Sequence, residues 1–168
     1  TVSNDTIYGD GGSDHIEGNS GNDLIYGGEG REYISGDSSG NQNHQGNDTI
    51  NGGNGNDYLE GNLGTDLING DNGDDHLSGD TRATKGNFGS DTVNGGNGND
   101  YINGNADDDL LNGDDGNDTI DGDSGGDTLN GGAGEDVLKG GNGSDSLDGN
   151  SGDDFLNGNK GDDTVLGN

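Results

Sequence analysis

Aliphatic residues return along this chain every nine positions: Ile7, Ile16, Ile25, Ile34, Ile50, Leu59, Ile68, Leu77, Val93, Ile102, Leu111, Ile120, Leu129, Leu138, Leu147, Leu156 and Val165. The spacing is broken twice, each time by seven extra residues, between Ile34 and Ile50 and between Leu77 and Val93. One apolar residue between two outward-facing neighbours is the pattern of a short strand, in which successive side chains point to opposite faces. A strand of three residues is not stable alone, so a fixed period of this kind predicts copies stacked into a solenoid. Each copy reads as a six-residue loop followed by a three-residue strand. Two copies per turn place the strands in two parallel sheets, with the aliphatic residues facing each other between them. Eight to nine turns at about 4.8 Å each give a rod about 40 Å long.

The polar positions keep the same phase. Position one of each full copy is Gly, as at Gly9, Gly52, Gly95 and Gly149, and the two most regular copies are Gly52–Glu60 and Gly95–Asn103. The general form is Gly-(Gly/Asn/Asp)-x-Gly-x-Asp-x-aliphatic-x. Position six is acidic in every copy: Asp5, Asp14, Asp23, Glu32, Asp48, Asp57, Asp66, Asp75, Asp91, Asp100, Asp109, Asp118, Asp127, Asp136, Asp145, Asp154 and Asp163. The extra residues, near 39–45 and 82–88, lie four copies apart and therefore on the same edge of the rod. No linker interrupts residues 1–168, which read as one array.

Composition alone points the other way. Only 20% of the residues are hydrophobic, 41 are Gly, and the formal net charge is -30, which is the signature of a disordered chain. Disorder does not need aliphatic residues in fixed phase, so an agent outside the sequence must supply the missing stabilisation. The chain has no Cys for disulfides. Five Lys and Arg residues are too few to hold nucleic acid or an anionic membrane surface, and no apolar run is long enough to span a bilayer. Cations are the natural partners. Helix-flanked calcium loops and phosphate-binding loops are excluded, because no loop-closing Glu and no Gly-Lys-Ser/Thr follows the glycines. The three histidines, His15, His44 and His76, form no catalytic set with a nucleophile, and the reading is of a protein that is not an enzyme.

The nonapeptide resembles the calcium-binding repeat of the repeats-in-toxin (RTX, haemolysin-type) family, and the resemblance covers essentially the whole chain. It implies an all-β fold, a right-handed parallel β-roll. It also implies that each ion sits between loops of successive turns on one edge. One loop would give the carbonyls of positions one and three, the next those of two and four, and both their Asp. Carried onto this chain, Asp57 and Asp75 flank one ion with carbonyls of Gly52, Asn54, Asp71 and Gly73, and Asp75 and Asp100 flank the next. The carbonyls of Gly53, Gly55, Gly70, Asn72, Gly95, Gly96, Asn97 and Gly98 take the corresponding places in these loops. Roughly fifteen Ca2+ ions on two edges would approximately cancel the chain's charge.

Three departures bear on individual sites. Glu32 is one methylene longer than Asp and is expected to weaken the ions it touches. Asp107 replaces the position-four Gly and is expected to distort its loop. The seven-residue insertions make one edge irregular, so the cleaner calcium column is expected on the unbroken edge. The sheet fed by that edge carries a stripe of His15, Tyr33, Tyr58, His76, Tyr101 and Phe155, read as a stacking ladder or as a docking surface for another copy or a glycan.

The functional expectation is a calcium-binding extracellular structural or adhesive module that folds on binding Ca2+ after type I secretion. Both termini stop in mid-repeat, which favours a segment of a longer array or end-to-end assembly into fibres or a surface layer. The alternative is the non-catalytic C-terminal repeat domain of a larger secreted toxin or exoenzyme. Ranks of Thr and Asn invite a minor reading as an ice-binding solenoid, interrupted by Leu24, Leu67 and Leu110.

Overall fold

A computed structural model describes residues 3–38, 46–80 and 88–167. The first insertion and nearly all of the second lie outside the described residues, as does His44. Among the described residues every regular element is a strand, and every strand pairing is parallel.

Strands numbered along the chain fall alternately into two sheets. The sheet of nine contains β1 (Thr6–Tyr8), β3 (Leu24–Glu29), β5 (Thr49–Asn54), β7 (Leu67–Asn72) and β9 (Thr92–Asn97), followed by β11 (Leu110–Asp115), β13 (Thr128–Ala133), β15 (Ser146–Ser151) and β17 (Thr164–Leu166). The sheet of eight contains β2 (His15–Asn19), β4 (Tyr33–Asp37), β6 (Tyr58–Asn62) and β8 (His76–Asp80), followed by β10 (Tyr101–Ala106), β12 (Thr119–Ser124), β14 (Val137–Asn142) and β16 (Phe155–Lys160). Two repeats therefore make one turn, and about eight turns make the solenoid. Both insertions enter on the edge that leads from the sheet of eight into the sheet of nine.

The register puts like on like: Ile50 lies beside Ile68, and Ile102 beside Leu77 and Ile120. The core is a double column of position-eight side chains, and thirteen of them, from Ile25 to Leu147, are fully buried. Ile7 and Leu156 cover its two ends.

The expected three-residue strand holds only at the two terminal strands, β1 and β17. Interior strands run five or six residues, through position one into positions two and three of the next copy, as in Thr49–Asn54. The reason is visible in the burial of β5, where Gly52 faces inward as Ile50 does. Glycine has no side chain to announce a face, yet its backbone continues the sheet.

The outer faces are ladders of identical groups. Asn69 donates from Nδ2 to Asn51 Oδ1 at 2.9 Å, Asn94 to Asn69 at 2.8 Å, and Asn112 to Asn94 at 2.7 Å. On the other sheet the His15, Tyr33 and Tyr58 rings stack with centroids 4.8 and 5.0 Å apart, and His76 and Tyr101 continue the pile. The ring faces are thus turned toward one another, and the stripe shows its edges to solvent.

Candidate metal centres

In the repeats without insertions the loops form because position two is bent into the left-handed region. Asp10, Asn19, Asn62, Asp71, Asn105, Asp114, Asp123, Asn150 and Asn159 have φ between 64° and 83°, and Gly28, Gly53 and Gly96 lie near 110°. Only Gly, and at modest cost Asn and Asp, enter that region readily. This explains the residue choice at the position. In these repeats position four is left-handed as well, and there consecutive turns also touch. A β-carbon on Gly73 would collide with the carbonyl oxygen of Gly55 one turn below.

Asp107 meets this demand with φ of 69°. The loop around it is not distorted as expected: Asp109 still receives the Asp91 N–H and donates its own to Asp127, both at 2.9 Å.

The bend turns each position-six carboxylate inward. Asp57, Asp75, Asp100, Asp118 and Asp136 are at most 3% exposed, as are Asp23, Asp48, Asp66, Asp91, Asp109, Asp127 and Asp145. The two oxygens of each carboxylate have different fates. Oδ1 accepts the backbone N–H of the position-six residue one turn earlier. On one edge Asp57 N–H donates to Asp75 at 2.7 Å, and Asp75 N–H to Asp100 and Asp100 N–H to Asp118 at 2.8 Å. On the other edge the same link runs from Asp5 through Asp23, Asp48, Asp66, Asp91, Asp109 and Asp127 to Asp145 and Asp163.

Oδ2 has no hydrogen-bond partner in Asp14, Asp23, Asp48, Asp57, Asp66, Asp75, Asp91, Asp100, Asp109, Asp118, Asp127, Asp136, Asp145 and Asp154, although it is buried in each. It points into a space that only glycine leaves open. A β-carbon built on Gly52 would lie 2.5 Å from Asp57 Oδ2 and 2.9 Å from the carbonyl oxygen of Gly70 on the next turn. A carboxylate oxygen without a donor and a backbone carbonyl oxygen therefore converge there, and oxygens of these two kinds are what a hard cation takes as ligands. Among the described residues no group of three or more acidic or imidazole side chains closes on one point. Any ion on these edges would accordingly depend on backbone carbonyls for much of its shell.

Stacked buried carboxylates raise one another's proton affinity. Burial is the largest cause throughout, the N–H bond on Oδ1 opposes it, and neighbouring carboxylates add to it. The result is about 6 for Asp48 and Asp100, and about 7 for Asp66, Asp75, Asp118 and Asp127. Asp109 reaches about 8 and Asp91 about 9. A fold that must hold these groups ionised at neutral pH needs a positive partner.

Every position-six residue named from the sequence stands in one of the two columns. The three loops chosen for their carbonyls are consecutive, with Gly53, Asp71 and Gly96 in register and Asn54, Asn72 and Asn97 beside them. Glu32 is the exception among the carboxylates. Its own N–H reaches Asp57 Oδ1 at 2.9 Å, but both of its carboxylate oxygens are buried without a partner. The unbroken edge, on which Glu32 stands, thus has the shorter carboxylate ladder, and the expanded edge has the longer one. The insertions enter between positions three and four and leave position six in register.

Two further buried carboxylates, Asp37 and Asp80, were not singled out by sequence reasoning. They stand at position two of the two expanded repeats. The one sequence signal for them is Ser at position nine, which occurs only there, as Ser35 and Ser78.

A family model described as the RTX calcium-binding nonapeptide repeat (four copies) matches residues 1–41, 44–80, 85–120, 121–156 and 139–168. No curated protein matches the chain.

Proposed function

The chain belongs to the RTX calcium-binding nonapeptide repeat family, and we propose that it is an extracellular structural module whose folding is conditional on calcium. The observation that carries this reading is the buried, unpartnered Oδ2 repeated along both edges. Calcium, when bound, supplies positive charge and accepts carboxylate and carbonyl oxygens together. The chain supplies the rest. Oδ1 fixes each carboxylate to the turn before it, the position-one glycines leave room for an ion, and the left-handed bends at positions two and four aim the carbonyls.

Without the ion the same carboxylates oppose folding, so binding free energy is folding free energy. Calcium is scarce inside cells and abundant outside. A chain of this kind stays unfolded during export, consistent with type I secretion, and becomes a rod in the extracellular medium. Its role there is mechanical or adhesive, and the rod does no chemistry of its own.

Far-ultraviolet circular dichroism with chelator and during calcium titration tests the proposal. The expected result is a disordered spectrum without metal and a cooperative gain of β-structure with calcium, which magnesium at the same concentration does not reproduce. Full sheet content after exhaustive metal removal at neutral pH would overturn it.

A further inference from the structure

Asp37 and Asp80 are, among the described residues, the only fully buried carboxylates outside position six, at 0% and 1% exposure. Other position-two residues of the same type, such as Asp71 and Asp114, are left-handed and exposed. Asp37 and Asp80 take no positive φ, and their side chains turn inward. The main chain at each is held by the same pair of contacts. Ser35 Oγ donates to the Asp37 carbonyl at 2.7 Å, and Asn62 Nδ2 reaches that carbonyl at 3.2 Å and Ser35 Oγ at 2.8 Å. Four copies later, Ser78 Oγ donates to the Asp80 carbonyl at 2.8 Å, and Asn105 Nδ2 reaches it at 2.9 Å.

The buried carboxylates are not satisfied. Both oxygens of Asp80 lack a hydrogen-bond partner, as does Oδ1 of Asp37, whose Oδ2 accepts the Gly46 N–H at 3.0 Å. Their location follows from the rule of the regular turns, in which position-six Oδ2 packs on the position-one glycine. Asp48 Oδ2 lies against Gly36, and Asp91 Oδ2 against Gly79. These are the residues immediately before Asp37 and Asp80. Burial, and then the charges of Asp48, Asp66 and Asp23, push Asp37 up to about 8, while burial and then Asp109, Asp66 and Asp107 do the same to Asp80.

We infer that each expanded turn holds a calcium ion of its own, additional to the regular columns, bound by an inward position-two carboxylate and the position-six carboxylate of the same repeat. The pairs are Asp37 with Asp48 and Asp80 with Asp91. The inference rests on the calcium reading above and adds to it two sites of a second kind. The extra charge at these levels is then a ligand set and not a defect of the widened turns.

Calcium stoichiometry of the full chain, measured by isothermal titration and native mass spectrometry, tests the assignment. D37N/D80N is expected to bind two ions fewer than the unaltered chain, and each single variant one fewer. D153N/D162N, which removes two exposed charges, should bind the unaltered number. Equal stoichiometry in D37N/D80N and the unaltered chain overturns the inference while leaving the calcium reading intact; an unaltered chain that binds no calcium overturns both. Should D37N/D80N fail to fold in calcium, terbium-soaked crystals of the unaltered chain decide. Anomalous peaks beside Asp37 and Asp80 are expected, and their absence while the regular columns are occupied is the contrary result.

Discussion

Replacing Asp100 by Asn separates the two duties of a position-six carboxylate, and they are expected to respond with opposite sign. Asp100 is 3% exposed, with Oδ1 bound to the Asp75 N–H at 2.8 Å and Oδ2 unpartnered. Asn is nearly the same shape and keeps the Oδ1 acceptor. In the metal-free chain burial, opposed by the Asp75 N–H and reinforced by Asp74 and Asp114, raises Asp100 from 3.8 to about 6. A carboxyl raised in the fold favours folding below its unfolded value and loses that contribution as pH climbs through its folded value. Holding the charge at pH 7 therefore costs the metal-free fold about 3 kcal/mol. Asp100→Asn removes that cost, so in chelator the variant is expected to fold at a lower concentration of a stabilising osmolyte such as trimethylamine N-oxide. With calcium the effect reverses, because the charge count of a site sets its affinity, and the folding midpoint should rise about tenfold in calcium. Circular dichroism follows both titrations. A variant that needs more osmolyte without metal, or that keeps the calcium midpoint, would refute the division of labour between the two oxygens.

Two other outcomes follow from the same geometry. In chelator, acid should replace calcium: β-structure is expected near pH 4 and should be lost as pH rises from about 6, where Asp48 and Asp100 ionise, to about 9, where Asp91 does. In calcium the trend inverts, because protons then compete for the ligand oxygens; a metal-free chain still disordered at pH 4 would contradict this. Gly98 has φ of 137°, and a β-carbon on it would strike the Gly73 carbonyl oxygen. Gly98→Ala should therefore cost about 2 kcal/mol or more and lower the melting temperature of the calcium-loaded rod by about 4–8 °C. Gly126→Ala, whose β-carbon would have no neighbour closer than 3.4 Å, should melt unchanged, and equal melting of the two variants would rule out the close approach at position four.

The architecture was legible in the sequence because a solenoid is nearly one-dimensional: one repeat specifies one layer, and the period specifies the stacking. The aliphatic phase alone assigns Ile50 to Ile68 and Asn51 to Asn69, as the register has them. Strand length was less legible, since Gly52 and its equivalents carry no side chain from which to read a face. The inward turn of Asp37 and Asp80 was hidden for another reason. Asp71 at the same position has φ of 72° and faces outward, so residue type does not distinguish the two cases. The difference is made by partners distant in sequence, Ser35 with Asn62 and Ser78 with Asn105, which become neighbours only once the turns are stacked.

Glu32 shows what the carboxylate columns do and do not contribute. Its side chain is one methylene too long to clamp the N–H of the turn before, and neither of its oxygens finds a partner. The sheet around it is nevertheless undisturbed. Tyr33 N–H still reaches the Asp14 carbonyl at 2.8 Å, and Ile34 is fully buried. The turn thus keeps its geometry with backbone pairing, the apolar double column and one clamp, from its own N–H to Asp57 Oδ1, in place of two. What an aspartate at position six adds is a condition. Through Oδ1 it joins its own turn to the one before, and through Oδ2 it leaves a buried negative charge that only a bound cation or a proton can relieve. Because each carboxylate belongs to two turns, a cation that satisfies one level also supports the next. On the calcium reading proposed above, a chain with few apolar residues folds along its whole length or hardly at all, according to the calcium around it.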